Sequence, residues 1–285
     1  MPDVSCVATY VSTGSDFCVS DLPAADIERS SIPWEIWENI YGINLSPERL
    51  LGQPAIIEAR LGRGALVLSY PHIETPGSIQ GNRLFRNILN HLDEEASRHR
   101  PVERKPEAPL LSIPSLPSME AVECLNRIRS CVEELIVFGE RHLLWRWRLP
   151  WLLQWRRGIR GLEYGTLAVI ARYLANEAES ALGSEARHSP DLWTPVLERI
   201  EKEAAELCSL AERLLIEEKL ATQTGHLSKL GSVNDSVDKL RSRLFGSRMN
   251  HGGLCQGLFD KLDWILLQFI RRRAITCGDG HVSIV

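Results

Sequence analysis

A histidine and a carboxylate two residues apart, His72 and Glu74, are the spacing in this chain that suggests chemistry. A carboxylate beside an imidazole sets its orientation and tautomer, which is the base-and-orienter half of nucleophilic catalysis. In extended backbone side chains repeat every two residues, so the two groups project to the same side. The elements that must position them lie on either side. Residues 55–61 and 65–70 are short apolar β-type runs, and Gly62-Arg63-Gly64 between them can supply the positive φ that a tight hairpin needs. The second run delivers His72 to its carboxyl end, and a helix with Leu84, Phe85, Ile88, Leu89 and Leu92 on one face follows.

The words Gly62-Arg63-Gly64-Ala65-Leu66-Val67-Leu68-Ser69 and Pro71-His72-Ile73-Glu74, with the helix after them, are similar to the closing part of the class I glutamine amidotransferase-like domain. The variant they resemble is the one related to the N-terminal domain of biotin-protein ligases. In that family a glycine-bearing hairpin leads to a His-x-Glu pair, commonly His-Pro-Glu, that serves a cysteine nucleophile on a strand-to-helix elbow. Ile73 stands where the proline is usual, and the clear match covers residues 54–92. The resemblance implies a flavodoxin-like α/β layer, with His72 as base and Glu74 as orienter.

A nucleophile elbow requires Gly-x-Cys-x-Gly between an apolar strand and a helix, because the glycines permit the strained turn that exposes the sulfur. No such sequence occurs in this chain. Cys6 lies in the alternating run Val4-Ser5-Cys6-Val7-Ala8-Thr9-Tyr10, and Cys18 in Ser15-Asp16-Phe17-Cys18-Val19; neither has a glycine beside it. Both are poor nucleophiles. The expectation is that the chain starts after the elbow, that His72 and Glu74 are vestigial, and that the protein is a partial, inactive amidotransferase-like protein. The alternative is a cysteine-dependent amidase or amide-transfer enzyme whose nucleophile comes from outside the chain.

The 285 residues, 44% hydrophobic and 25% charged, suffice for one large or two modest cores. A net charge of -4 gives no general attraction to nucleic acid. Seven cysteines without CxxC pairing fit a reducing compartment, and neither a metal site nor a cofactor site is expected. The first thirty residues lack the basic-then-apolar pattern of a signal peptide, and the most apolar helical stretch, 254–270, is interrupted by Asp260, Lys261 and Asp263. These features lead to the expectation of a cytoplasmic protein.

Pro101, Pro106, Pro109, Pro114 and Pro117 mark an extended linker, since proline fixes φ and cannot donate a backbone hydrogen bond. The expected organisation is therefore an α/β region over 1–100, a linker over 101–117 and an all-α helical bundle over 118–275. Five stripes at 3.6-residue spacing support the bundle. They run through Val122–Ile136, Leu162–Leu174, Trp193–Leu214, Leu227–Leu244 and Leu258–Phe269. Residues 141–160 stand apart, with four tryptophans, six arginines and no acidic residue. One reading gives a protein partner or anionic membrane surface through Trp145, Trp147, Trp151 and Trp155. The other, preferred, gives a helix, a bend at Pro150 and a second helix with the indoles in the core.

Overall fold

The computed structural model describes residues 4–62, 64–99, 117–182, 193–225, 227, 231–246 and 252–276. The chain divides into two units, Met1–Pro109 and Leu110–Val285: a mixed β/α region and a mostly helical one. The linker expected over 101–117 lies outside the described residues apart from Pro117.

The first unit contains β1 (Val4–Thr9), β2 (Cys18–Val19), β3 (Leu22–Pro23), α1 (Ala24–Ser30), α2 (Trp34–Tyr41), β4 (Pro54–Leu61), β5 (Gly64–Ser69) and α3 (Ile79–His99). β1, β4 and β5 form an antiparallel sheet in that order. Leu61 pairs with Gly64 across a tight turn, where Gly62 holds a φ of 61°, a conformation that costs a residue with a Cβ. Such a short connection permits only antiparallel pairing. Glu58 and Arg60 point to one face of β4, and α3 docks there through His91 to Glu58 at 2.9 Å and Glu95 to Arg60 at 3.0 Å. Upstream, Glu38 of α2 accepts from the backbone N–H groups of Leu45 at 2.7 Å and Ser46 at 3.0 Å, and pairs with Arg49 at 3.0 Å. These three donors hold its carboxyl down at about 2, the two backbone bonds most strongly.

The second unit contains α4 (Met119–Arg141), β6 (Trp145–Leu149), β7 (Leu152–Trp155), α5 (Gly161–Ala181), α6 (Thr194–Ala221), α7 (Asp235–Phe245) and α8 (Gly253–Thr276). Ser118 opens α4 by accepting from the Ala121 N–H at 3.0 Å, and Asn234 opens α7 in the same way through Val237 at 2.9 Å. The apolar stripe of α4, Val122, Leu125, Ile128, Val132, Leu135 and Ile136, is wholly buried. α4 and α6 run parallel and in register: Ser118 meets Thr194 at 3.3 Å, and Arg127 meets Glu201 at 2.8 Å. α5 runs antiparallel to α4, with Arg172 to Glu133 at 3.1 Å and Arg129 to Asn176 at 3.4 Å. α8 packs on both α5 and α6, so α5 and α6, consecutive in the chain, occupy opposite corners of a four-helix bundle.

Two expectations for 141–160 are corrected. The segment is a β-hairpin, not two helices, with Trp145 paired to Trp155 and Trp147 to Leu153. Its tryptophans also do not form a partner or membrane surface. Trp145 is 4% exposed, donates its indole N–H to the Ile136 carbonyl at 2.9 Å and stacks at 5.2 Å from Tyr164. Trp147 packs under the Arg172 guanidinium at 4.6 Å, Trp155 packs against Gly161, and Trp151, at the turn, is half-buried. The helices are shaped to receive these rings: a Cβ on Gly139 would lie 2.1 Å from the Trp145 ring, and one on Gly161 would lie 2.3 Å from that of Trp155. No helix among the described residues is long and apolar enough to cross a membrane. The fourth apolar stripe is also shorter than expected, because α7 begins only at Asp235, leaving Leu227 outside the helix.

Candidate functional site

β5 ends at Ser69, so His72 and Glu74 stand on a turn and not on the extended backbone expected for them. The turn is built from short polar side chains. Ser69 Oγ donates to the Pro71 carbonyl at 2.7 Å, and Thr75 Oγ1 donates to that of His72 at 2.8 Å. Asn82, in the first turn of α3, donates through Nδ2 to the carbonyls of Ile73 at 3.2 Å and Thr75 at 2.9 Å. A Cβ on Gly81 would lie 2.8 Å from the Ile73 carbonyl, so the close approach of loop and helix depends on that glycine. Strand end, loop and helix N-terminus are thus locked by hydrogen bonds within fourteen residues.

On this turn His72 Nδ1 and Glu74 Oε1 meet at 2.7 Å. The hydrogen bond from the imidazole holds the Glu74 carboxyl below the usual carboxylate range. With Nδ1–H engaged by the carboxylate, Nε2 carries the lone pair of the neutral ring, the form in which a histidine accepts a proton. The side chains are open to solvent, His72 at 85% and Glu74 at 53% exposure. Such exposure gives neither the dry surroundings nor the fixed donors that stabilise developing charge in an acyl-transfer site.

The cysteines considered as nucleophiles are held elsewhere. Cys6 pairs with Ile57, and Ile57 with Leu68, which places it two strand spacings, roughly 10 Å, from β5. Its Sγ donates to the Ala8 carbonyl at 3.3 Å. Cys18 lies on the short β2–β3 ribbon, and its Sγ contacts the Asp16 carbonyl at 3.7 Å. What β1 does bring to the end of β5 is a phenol: Tyr10 packs edge-on against Tyr70 at 6.3 Å. Burial, with Tyr70 adding to it, raises the Tyr10 hydroxyl pKa above its ordinary value. A second imidazole–carboxylate pair, His91 with Glu58, joins α3 to β4. No cluster of three or more His, Cys, Asp or Glu among the described residues converges in the manner of a metal site.

The helical unit also holds a group of buried charges. Glu218 of α6, 1% exposed, accepts from Arg241 of α7 at 2.8 Å. Arg241 also donates to the carbonyls of Gly231 at 3.0 Å and Gly158 at 3.4 Å, so one guanidinium joins α6, α7 and the turn after β7. Burial pushes the Glu218 carboxyl up to about 7, against the pull of Arg241. The signal for it was present in α6: the stripe Ala204, Leu207, Ala211, Leu214 continues at its next position into Glu218. A carboxylate on a core stripe demands a buried cation.

No family model matches the sequence, and no curated protein or solved structure is significantly similar to it.

Proposed function

We propose that residues 54–92 are the closing part of a flavodoxin-like, class I glutamine amidotransferase-like layer of the kind related to biotin-protein ligase N-terminal domains. In this reading the layer is kept without catalysis, and the helical unit serves interactions. The observation that carries it is the 2.7 Å His72–Glu74 contact directly after a glycine-turned hairpin and directly before a docked helix. That order is the one the resemblance implies. The geometry of Cys6 and Cys18 supports an inactive pair, since neither sits on a strand-to-helix turn where a thiolate is presented to a substrate.

The test is ammonia release from glutamine by the purified chain. The expected result is no release above the buffer rate. Release that is abolished by Cys6→Ala or Cys18→Ala would overturn the inactive reading, because it would identify the nucleophile inside the chain. A second reading, amide transfer with a cysteine from another polypeptide, is favoured by the 85% exposure of His72, which leaves Nε2 reachable. It requires that a complex isolated with its natural companions release ammonia from glutamine, and that His72→Ala stop this.

A further inference from the structure

α3 covers one face of the β1-β4-β5 sheet, and the polarity of the two faces is inverted. Alternation along β4 puts Ile56, Glu58 and Arg60 on the face that receives α3, and Ile57, Ala59 and Leu61 on the opposite face. Strand pairing carries this second face across the sheet. Leu68 lies beside Ile57 and Leu66 beside Ala59 on one side, with Cys6 and Val4 beside the same two residues on the other. The charged side chains of β4 therefore point toward a helix and its apolar ones toward solvent. Val4 is 53% exposed, Leu61 72%, Leu66 43% and Leu68 52%. An antiparallel sheet with one wet face ordinarily turns polar residues to the water, so this face is built to be covered.

We propose that this face docks on the same face of a second copy of the chain, the two sheets packing against each other in a two-fold dimer. A two-fold interface sets a patch against itself, so a patch of one charge sign would repel its copy. The residues of this face carry no charge and are complementary to themselves. A partner recognised through charge finds nothing here to pair with. The relief of the face also suits a second sheet. Its cross-strand rows read Val4-Ala59-Leu66 and Cys6-Ile57-Leu68, each with a small residue beside large ones. Sheets packed face to face, about 10 Å apart, interdigitate their side chains in this way.

The exposed area sets the strength of the pairing. The fractional exposures leave roughly 500 Å² of this face open on each copy, so pairing removes about 1,000 Å² in all, at the lower limit for a specific interface. An interface of that size gives a reversible dimer, with a dissociation constant on the order of 10–100 µM. The contacts of Glu58 and Arg60 with α3 lie on the other face, so each copy keeps them when the pair separates.

The test is sedimentation velocity of the full chain, with a reductant present to exclude disulfides through Cys6, at loadings from about 1 to about 200 µM. The parent should pass from monomer to dimer across that range. Leu66→Lys with Leu68→Lys sets four like charges into the pair and should leave the chain monomeric throughout. Its far-UV circular dichroism should match the parent's, because both side chains are already exposed in the single copy. Leu61→Lys, the most exposed of these positions, should raise the dissociation constant at least about tenfold, and it decides the matter if the double variant does not fold. Leu220→Lys, on an exposed position of α6 in the other unit, should dimerise as the parent does. A parent that stays monomeric to the highest loading would overturn the proposal and leave the face to a different partner. A dimer that survives the charges on this face, or is lost with Leu220→Lys, would overturn it too, by placing the interface at the free edge of β5 or on the helical unit. The inference does not rest on the amidotransferase-like reading, which is tested by ammonia release and can fail or stand separately.

Discussion

Replacing Gly139 by alanine sets two effects of opposite sign against each other. Alanine in a helix interior is more favourable than glycine by about 1 kcal/mol. Against that, the new Cβ would sit 2.1 Å from the Trp145 ring, far inside contact distance. Relief by a small shift is closed off: the indole is tied at 2.9 Å to the Ile136 carbonyl and backed by Tyr164 at 5.2 Å. The ring must leave its seat, at a cost on the order of 3–5 kcal/mol for losing a buried tryptophan. The expected net destabilisation is therefore about 2–4 kcal/mol. Urea unfolding of Gly139→Ala followed by far-UV circular dichroism, with the slope compared to the parent, measures it. Gly257→Ala in α8 is the matched control, since nothing lies within 4 Å of its Cβ position, and it should raise stability by up to about 1 kcal/mol. A Gly139→Ala midpoint equal to or above the parent's would refute the seating of Trp145 against α4.

Three further outcomes are expected. Arg241→Met leaves Glu218 buried without its cation and should cost roughly 3–5 kcal/mol in the same assay, most of it recovered when Glu218→Leu is added; a double variant as unstable as the single would contradict the pairing argument. Glu38 titrates below its unfolded value, at about 2 against 4.5, so its stabilising contribution is complete above pH 4.5 and disappears as pH falls toward 2. The melting temperatures of the parent and Glu38→Gln should thus converge over that acid range, and a gap independent of pH would show that the carboxylate does not act through its charge. Because His72 and Glu74 lie on the surface of their turn, His72→Ala should change thermal stability by no more than about 0.5 kcal/mol, and a larger loss would indicate a structural role for the pair.

What could be read from the sequence depended on the range of the interactions involved. The β4–β5 hairpin was legible because its determinants are adjacent: two apolar runs and a glycine that tolerates a φ of 61°. The α4 stripe was legible for the same reason, and all six of its apolar positions are buried. The 145–155 hairpin was misread although its signal is local. Trp145-Arg146-Trp147-Arg148 alternates with period two, Trp145 facing the core, a pattern that the unusual abundance of arginine and tryptophan masks. The pairing of Glu218 with Arg241 depends on helix register across the bundle, which periodicity within one helix does not contain. For the candidate site, the spacing of His72 and Glu74 foretold their contact, but not that the chain there turns or that Tyr10 stands beside the strand end.

The way the hairpin is seated has a consequence for the order in which the chain can assemble. Trp145 reaches its carbonyl partner only nine residues back, and Trp155 meets Gly161 six residues ahead, whereas the ties between α4 and α6 span 74 to 76 residues. Closing short loops costs less entropy and occurs sooner, so α4, the hairpin and α5 can join while the rest of the bundle is still open. During synthesis from the N-terminus, residues 119–181 can therefore close on themselves before Glu201 has left the ribosome. α6 then meets a ready-made surface, and its register against α4 is chosen by docking.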